Sequence, residues 1–174
     1  ALNGRSGIAN DDGHYNCQGE FGWVDGQPDY SRAASFRYFM GGAMPGLHDH
    51  YEARGQGDGY TTYDHQDGAL LQAQLQAARE ANLKYLQLIT WNDYGEGTMI
   101  EPTKEFGFKF LFLVQQFAGV GYTQDVLQLI FRWYQLKKRY KGQTEKISRL
   151  DSAYHYFIAL QPDKAKAILD NIDR

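Results

Sequence analysis

The chain has one cysteine, Cys17, among 174 residues. A single thiol excludes an internal disulfide framework and a cysteine-rich zinc site. Charge of one sign is also lacking. With 18 Lys+Arg against 21 Asp+Glu, the formal net charge is -3, and binding of nucleic acid by phosphate neutralisation is not expected. No apolar run is long enough to span a bilayer. The first residues, Ala1-Leu-Asn-Gly-Arg-Ser-Gly7, carry no apolar targeting core. Length sets another limit, since a whole (β/α)8 barrel takes roughly 250 residues. What the chain does have is aromatic residues: 13 Tyr, 10 Phe and 3 Trp. A core uses these, and so do sugar-binding clefts.

Glycine and charge divide the sequence in two. Residues 1–121 hold 18 of the 19 glycines, with 15 acidic and 8 basic residues, net -7. Residues 122–174 hold one glycine, 10 basic and 6 acidic residues, net +4. The first part reads as strands, loops and some helix, and the second as helix almost throughout. No internal repeat or low-complexity tract is evident.

Within the first part, polar, glycine-rich Ala1 to Gly19 is expected to be loop. Glu20 to Val24 reads as a short strand. Apolar positions at Ala33, Ala34, Phe36, Phe39 and Met40 approach helical spacing and predict a helix over 28–40, with Pro28 in its first turn. Gly41 to Leu47 reads as a second strand running into His48-Asp-His-Tyr51, and Arg54 to Gly59 as a glycine-rich loop. A helix from about Asp67 carries Leu70, Leu71, Leu75 and Ala78 and stops near Asn82. Leu83 to Thr90 is the best-defined strand, and an apolar helix follows over Phe106 to Phe117. Strands alternating with helices imply a parallel sheet with crossover helices, where chemistry gathers at the carboxyl ends of the strands. Beyond Gly121, Thr123 suits an N-cap. Leu127, Ile130, Phe131, Tyr134 and Leu136 form a stripe, and Lys137, Lys138 and Arg139 sit where the helix dipole favours cations. Two shorter helices follow, near 150–160 and 163–172.

The most informative stretch follows the best strand: Ile89-Thr-Trp-Asn-Asp-Tyr-Gly-Glu-Gly-Thr-Met-Ile-Glu-Pro102. It collects Asn92, Asp93, Glu96 and Glu101 on one loop, with Trp91 and Tyr94 among them. Two neighbouring carboxylates split their proton affinities, so one can be protonated while the other is charged. Glycoside cleavage needs such a pair, an acid for the leaving oxygen and a second carboxylate at the ring. Trp91 and Tyr94 offer flat faces for sugar rings. An acidic loop that merely caps the next helix, with Trp91 in the core, is the structural alternative.

Thr90-Trp-Asn-Asp-Tyr-Gly-Glu96 resembles the signature of glycoside hydrolase family 71, the α-1,3-glucanases. Glu96-Gly-Thr-Met-Ile-Glu-Pro102 resembles the continuation in family 99, the endo-α-mannanases and endomannosidases. Gly42-Ala-Met-Pro-Gly-Leu-His48 and Glu20 to Val24 resemble earlier strands of that 71/99-like group, so the likeness covers roughly residues 20–117. It implies the C-terminal part of a (β/α)8 TIM barrel, about three strand–helix units, over 1–121, followed by an α-helical extension over 122–174. It also implies a glycosidase acting on α-mannan or α-1,3-glucan. Neither cofactor nor metal is expected. By position, Asp93 matches the first catalytic carboxylate and Glu96 the general acid/base. Family 99 has Glu at the first position, and family 71 usually has Ser where this chain has Gly97, so the motif is a hybrid. Retention, through an anhydro-sugar route, belongs to family 99 and inversion to family 71; both stay open.

His48, Asp49 and Tyr51 are expected to hydrogen-bond sugar hydroxyls beside the carboxylates, together with Trp91, Asn92, Tyr94 and Glu101. His48-Asp-His50 with Asp64 and His65 can instead be read as a metal set, although no third ligand stands at a diagnostic spacing. Trp23 suits the core or a sugar face. Asp11 to Tyr15 reads as a plain turn, and Lys137 to Lys141 as a solvated helix end. Because three strands leave open edges and an uncovered face, the missing barrel strands are expected from upstream sequence or another chain, or the chain self-associates. The resemblance further implies a secreted protein, extracellular or periplasmic, that degrades polysaccharide. A non-catalytic carbohydrate-binding fragment is the rival reading, and a helical interaction module over 123–174 a third.

Overall fold

Four short strands pair in chain order, all parallel. They are β1 (Leu2–Arg5), β2 (Gly19–Gly22), β3 (Tyr38–Ala43) and β4 (Tyr85–Leu88). The computed structural model describes residues 2–5, 19–51, 55 and 61–173. The turn expected at 11–15, Cys17 and most of the loop at 54–59 therefore lie outside the described residues.

Two expectations are corrected here. Residues 2–5 are strand rather than loop, with Leu2 opposite Gly19 and Arg5 opposite Gly22. Their own side chains show no strand pattern; the backbone of β2 recruits them as an edge. The helix expected over 28–40 is a single 3-10 turn, Ser31–Ser35, followed by β3. Phe36, Phe39 and Met40 mimic helical spacing, but Tyr38–Ala43 gains two strand neighbours at once. Gly41 and Gly42 weaken any helix there.

Register explains the core. Glu20 lies opposite Phe39, and Gly41 opposite Leu86. This face packs on the layer formed by α1 (Ala69–Glu80) and the 3-10 turn, where Tyr30, Phe39 and Ala78 are buried with Ala33, Phe36 and Leu83 against them. Gly41 has no Cβ because Leu83 and Tyr30 occupy that space. Glu20 is buried on the same face, with the Arg32 guanidinium 3.6 Å away. The Tyr30 hydroxyl donates to Gly42 O at 2.7 Å, and burial, with Asp25 nearby, pushes its pKa up to about 12. On the opposite face Tyr38 and Tyr85 are 43% and 42% exposed, whereas parallel sheets are normally covered on both sides.

α1 follows a 3-10 turn at Gln66–Gly68 and buries Leu71, Leu75 and Ala78, an i, i+4, i+7 stripe. Leu71 and Leu75 join Ala43, Ile100 and Phe110, the last from α2 (Lys109–Phe117), in one cluster. Buried Gln74 stands among these apolar residues. Its Oε1 accepts from Met44 N at 2.8 Å and its Nε2 donates to Asp25 O at 2.8 Å. One side chain thus clamps the segments leaving β2 and β3 onto α1.

The chain divides into two compact units, Ala1–Val120 and Gly121–Arg174. The second contains α3 (Gln124–Arg139), α4 (Thr144–Ile158) and α5 (Pro162–Asp170). Thr123 is the N-cap residue of α3, Gly142 turns the chain after it with φ +90°, and Pro162 opens α5. Leu136, Tyr140, Leu150, Ala153, Phe157, Ala165 and Leu169 form its core. The basic helix end is partly neutralised within the unit. Lys137 meets Asp151 at 2.6 Å, and Lys138 lies 4.7 Å over the Tyr134 ring. No helix among the described residues is long and apolar enough to cross a membrane.

Candidate functional site

The 89–102 segment leaves the carboxyl end of β4 and folds back on itself. Ile89 anchors it: its side chain is buried with Met44 and Leu47, and its N–H donates to Ala43 O at 2.8 Å. The Ile89–Thr90 peptide is cis. Thr90 closes the loop. Its N–H donates to Thr98 O at 2.8 Å, its carbonyl accepts from Ile100 N at 3.0 Å, and its hydroxyl lies 3.0 Å from that of buried Thr98. The Thr90 hydroxyl also accepts from Asp93 N at 3.1 Å. Asp93 in turn accepts from Glu96 N at 3.0 Å through Oδ1. This side-chain turn orients Asp93 and sets the start of the Glu96 turn.

The segment after β3 forms the second wall. His48 N donates to Glu96 O at 2.8 Å, and His50 N to Gly95 O at 2.9 Å. Between them Asp49 is 7% exposed, and its Oδ1 accepts from Tyr51 N at 2.8 Å. Both glycines flanking Glu96 sit in close contact with this wall. A Cβ on Gly95 would come within 2.3 Å of the Tyr51 hydroxyl oxygen. Gly97 adopts φ +67°, where a side chain is strained, and its Cβ would sit 3.2 Å from both His48 N and His48 O.

Electrostatics follow from this packing. The half-buried Glu96 carboxyl is raised above its ordinary pKa, first by burial, then by the charges of Asp93 and Asp49. Neighbouring negative charge and loss of water both favour its protonated form. A carboxyl that holds its proton more tightly than usual, three residues from a second carboxylate, can donate to a leaving oxygen.

The structure brings Asp93, Glu96, His48, Asp49 and Tyr51 together. Trp91, Asn92 and Tyr94 are exposed on the same loop, Trp91 at 53% and Tyr94 at 50%. Tyr94 is held from behind, its hydroxyl donating to Glu101 Oε2 at 3.0 Å. Glu101 thus touches Tyr94 and, through its N–H, Trp91 O at 2.8 Å. Trp23, just past β2, is 42% exposed and not a core residue. Asp49 is buried, and its charge acts on Glu96.

Among the described residues no group of three or more His, Cys, Asp or Glu is placed to hold a metal ion. The histidines of that alternative do other work. The exposed His48 and His50 rings stack 4.5 Å apart at 10°. His65 lies against Phe106 and Phe110 and contacts Gly97 O. His50, His65 and Gln74 carry contacts that sequence reasoning missed, because each partner is distant in the chain.

No family model matches the chain, and no curated protein sequence matches it. Among solved structures it is similar to the GH99 endo-α-mannosidase from Bacteroides thetaiotaomicron. In one structure the identity is 20% and the TM-score 0.44, over 59% of this chain and 39% of that one. In a complex of that enzyme with BIS-TRIS-propane the values are 18% and 0.43, over 59% and 41%. The chain therefore spans about two-fifths of the length of those proteins.

Proposed function

We propose that this chain carries the carboxylate pair of a glycoside hydrolase acting on an α-linked polysaccharide or glycan, of the α-mannan or α-1,3-glucan type. Glu96 is the general acid/base, and Asp93 is the second carboxylate. The observation that carries this reading is the state of Glu96: half-buried, raised in proton affinity, and turned beside Asp93 at the carboxyl end of a parallel sheet. Trp91 and Tyr94 supply sugar-stacking faces, and Trp23 and Tyr51 extend them. Asn92 and His48 meet hydroxyls, and Glu101 holds Tyr94 in place. Residues 1–121 belong to a barrel, and 122–174 form a helical extension.

The test is hydrolysis of α-mannan and α-1,3-glucan by the full source protein, read as reducing-sugar release. Glu96→Gln, which keeps shape and removes the transferable proton, is expected to lower turnover by about 10²–10⁴-fold. Unchanged turnover would refute the assignment.

A second reading has its own support. Trp23, Tyr51, Trp91 and Tyr94 are each two-fifths to half exposed, so none of these rings is enclosed. Further barrel strands, from the same protein or a partner, would enclose the rings. Without those strands the chain binds carbohydrate and does not turn it over. Calorimetric binding without product release would select that reading.

A further inference from the structure

We infer that His65 is a positioning residue for the Glu96 turn: its ring N–H latches the carbonyl of Gly97. The inference rests on the proposed role of Glu96, but the contact itself is tested independently of it. Four successive carbonyls bracket the acid/base candidate, and each is held. Gly95 O accepts from His50 N, Glu96 O from His48 N, and Thr98 O from Thr90 N, all within 2.9 Å. Gly97 O lies 2.9 Å from His65 Nε2. The first three donors are backbone, supplied by the fold whatever the side chains. The fourth is the single link in this set that a side chain controls.

The ring is built in. A Cβ on Gly46 would lie 2.7 Å from His65 ring carbons, so this glycine leaves the space the imidazole fills. Phe106 and Phe110 pack against the ring at 4.8 and 5.5 Å. Its backbone is tied as well. Leu47 and Tyr63 exchange N–H···O bonds of 2.8 and 2.9 Å, and His65 O accepts from Gly68 N at 2.8 Å. The latch therefore joins the end of β3, the start of α1 and α2 to the turn that carries Glu96.

Chemistry specifies the ring. A carbonyl only accepts, so Nε2 must carry hydrogen. An imidazole of that tautomer suffices. Phenylalanine would fill the same slot and leave Gly97 O without this donor. A purely packing role would be served equally by either ring.

The experiment compares the full chain with His65→Phe, which keeps the ring and loses the donor, and His65→Gln, whose amide restores a donor. Amide hydrogen exchange of Glu96 and Thr98 reads the turn without any substrate. We expect exchange about tenfold faster in His65→Phe, with wild-type rates largely recovered in His65→Gln. Where hydrolysis is measurable, kcat should fall about 10–100-fold in His65→Phe, with KM changed less than about threefold and partial rescue in His65→Gln. Exchange and kcat unchanged in His65→Phe would overturn the inference, as would His65→Gln behaving like His65→Phe. Should the phenylalanine variant fail to fold, ¹⁵N spectra of the unmodified protein at pH 8, where free imidazole is neutral, decide the matter. A protonated Nε2 supports the latch and a protonated Nδ1 refutes it. Faster exchange in a protein that never hydrolyses a glycan would retain the latch and reject the catalytic reading.

Discussion

Replacing Gly97 by alanine puts a methyl group where backbone and space both object. At φ +67° an L-residue occupies the left-handed region, which costs about 1–2 kcal/mol. The unfolded chain of the variant is less flexible, which offsets about 0.5 kcal/mol. The new Cβ would lie 3.2 Å from His48 N and His48 O, closer than ordinary contact. Relief requires the 48–51 segment to move from the turn, loosening the 2.8 Å bond from His48 N to Glu96 O. Losing that bond costs about 1 kcal/mol more. The net expectation is a destabilisation of about 1–3 kcal/mol, or a fall in Tm of roughly 5–15 °C for a unit of this size. Calorimetry measures the Tm. Urea unfolding should show a lower midpoint with an unchanged slope. Gly97→Asn separates the two causes, since asparagine tolerates the left-handed region better than alanine but carries the same Cβ. Asparagine should fall between glycine and alanine. A Gly97→Ala protein as stable as wild type would show that the turn yields at no cost, and the reasoning would fail.

Other perturbations test neighbouring parts of the site. Because the Glu96 carboxyl is raised, the fold disfavours its ionised form, and the cost appears as pH rises through the folded value. Glu96→Gln should therefore raise Tm at neutral pH, and the gain should vanish below the ordinary glutamate value of 4.5 in acid melts. Asp49→Asn removes one of the two named negative neighbours. The Glu96 carboxyl should then titrate at lower pH by ¹³C NMR, and an unmoved titration would separate Asp49 from the site. Gln74→Leu strips partners from Met44 N and Asp25 O and is expected to cost about 2–4 kcal/mol in urea unfolding. Tyr30→Phe leaves the ring and removes the donor to Gly42 O, with an expected loss of about 1 kcal/mol by the same measurement.

Legibility followed range. The helix through Leu71, Leu75 and Ala78 was readable because its apolar side chains repeat with the helical period, and the strand expected at Leu83 to Thr90 because it alternates in part and ends in a β-branched pair. The loop from Trp91 to Glu101 was readable as a unit because its residues are contiguous and its closing bonds are local. The 28–40 helix was misread for the converse reason. Phe36, Phe39 and Met40 fit a helical stripe, yet pairing to β2 and β4 outweighs that local pattern. Leu2–Arg5 carries no pattern at all and is strand by virtue of its neighbour. Gln74 carried no signal and His65 suggested only a metal set, because their partners lie 49 and 32 positions away.

By itself the sequence determined the helix through Leu71, Leu75 and Ala78, the strand that follows it, the division in glycine and charge near residue 121, and the carboxylates Asp93 and Glu96 on one short loop. Those properties depend on side-chain type and spacing over a few residues, which a string of letters records. Only the tertiary structure decided that Asp49 is buried near Glu96, that His48 and His50 hold the carbonyls beside it, and that Gly97 sits at positive φ in tight contact with His48. The proton affinity of Glu96 depends on which charges face it and how much water reaches it. Both are set by segments that meet only when the sheet forms.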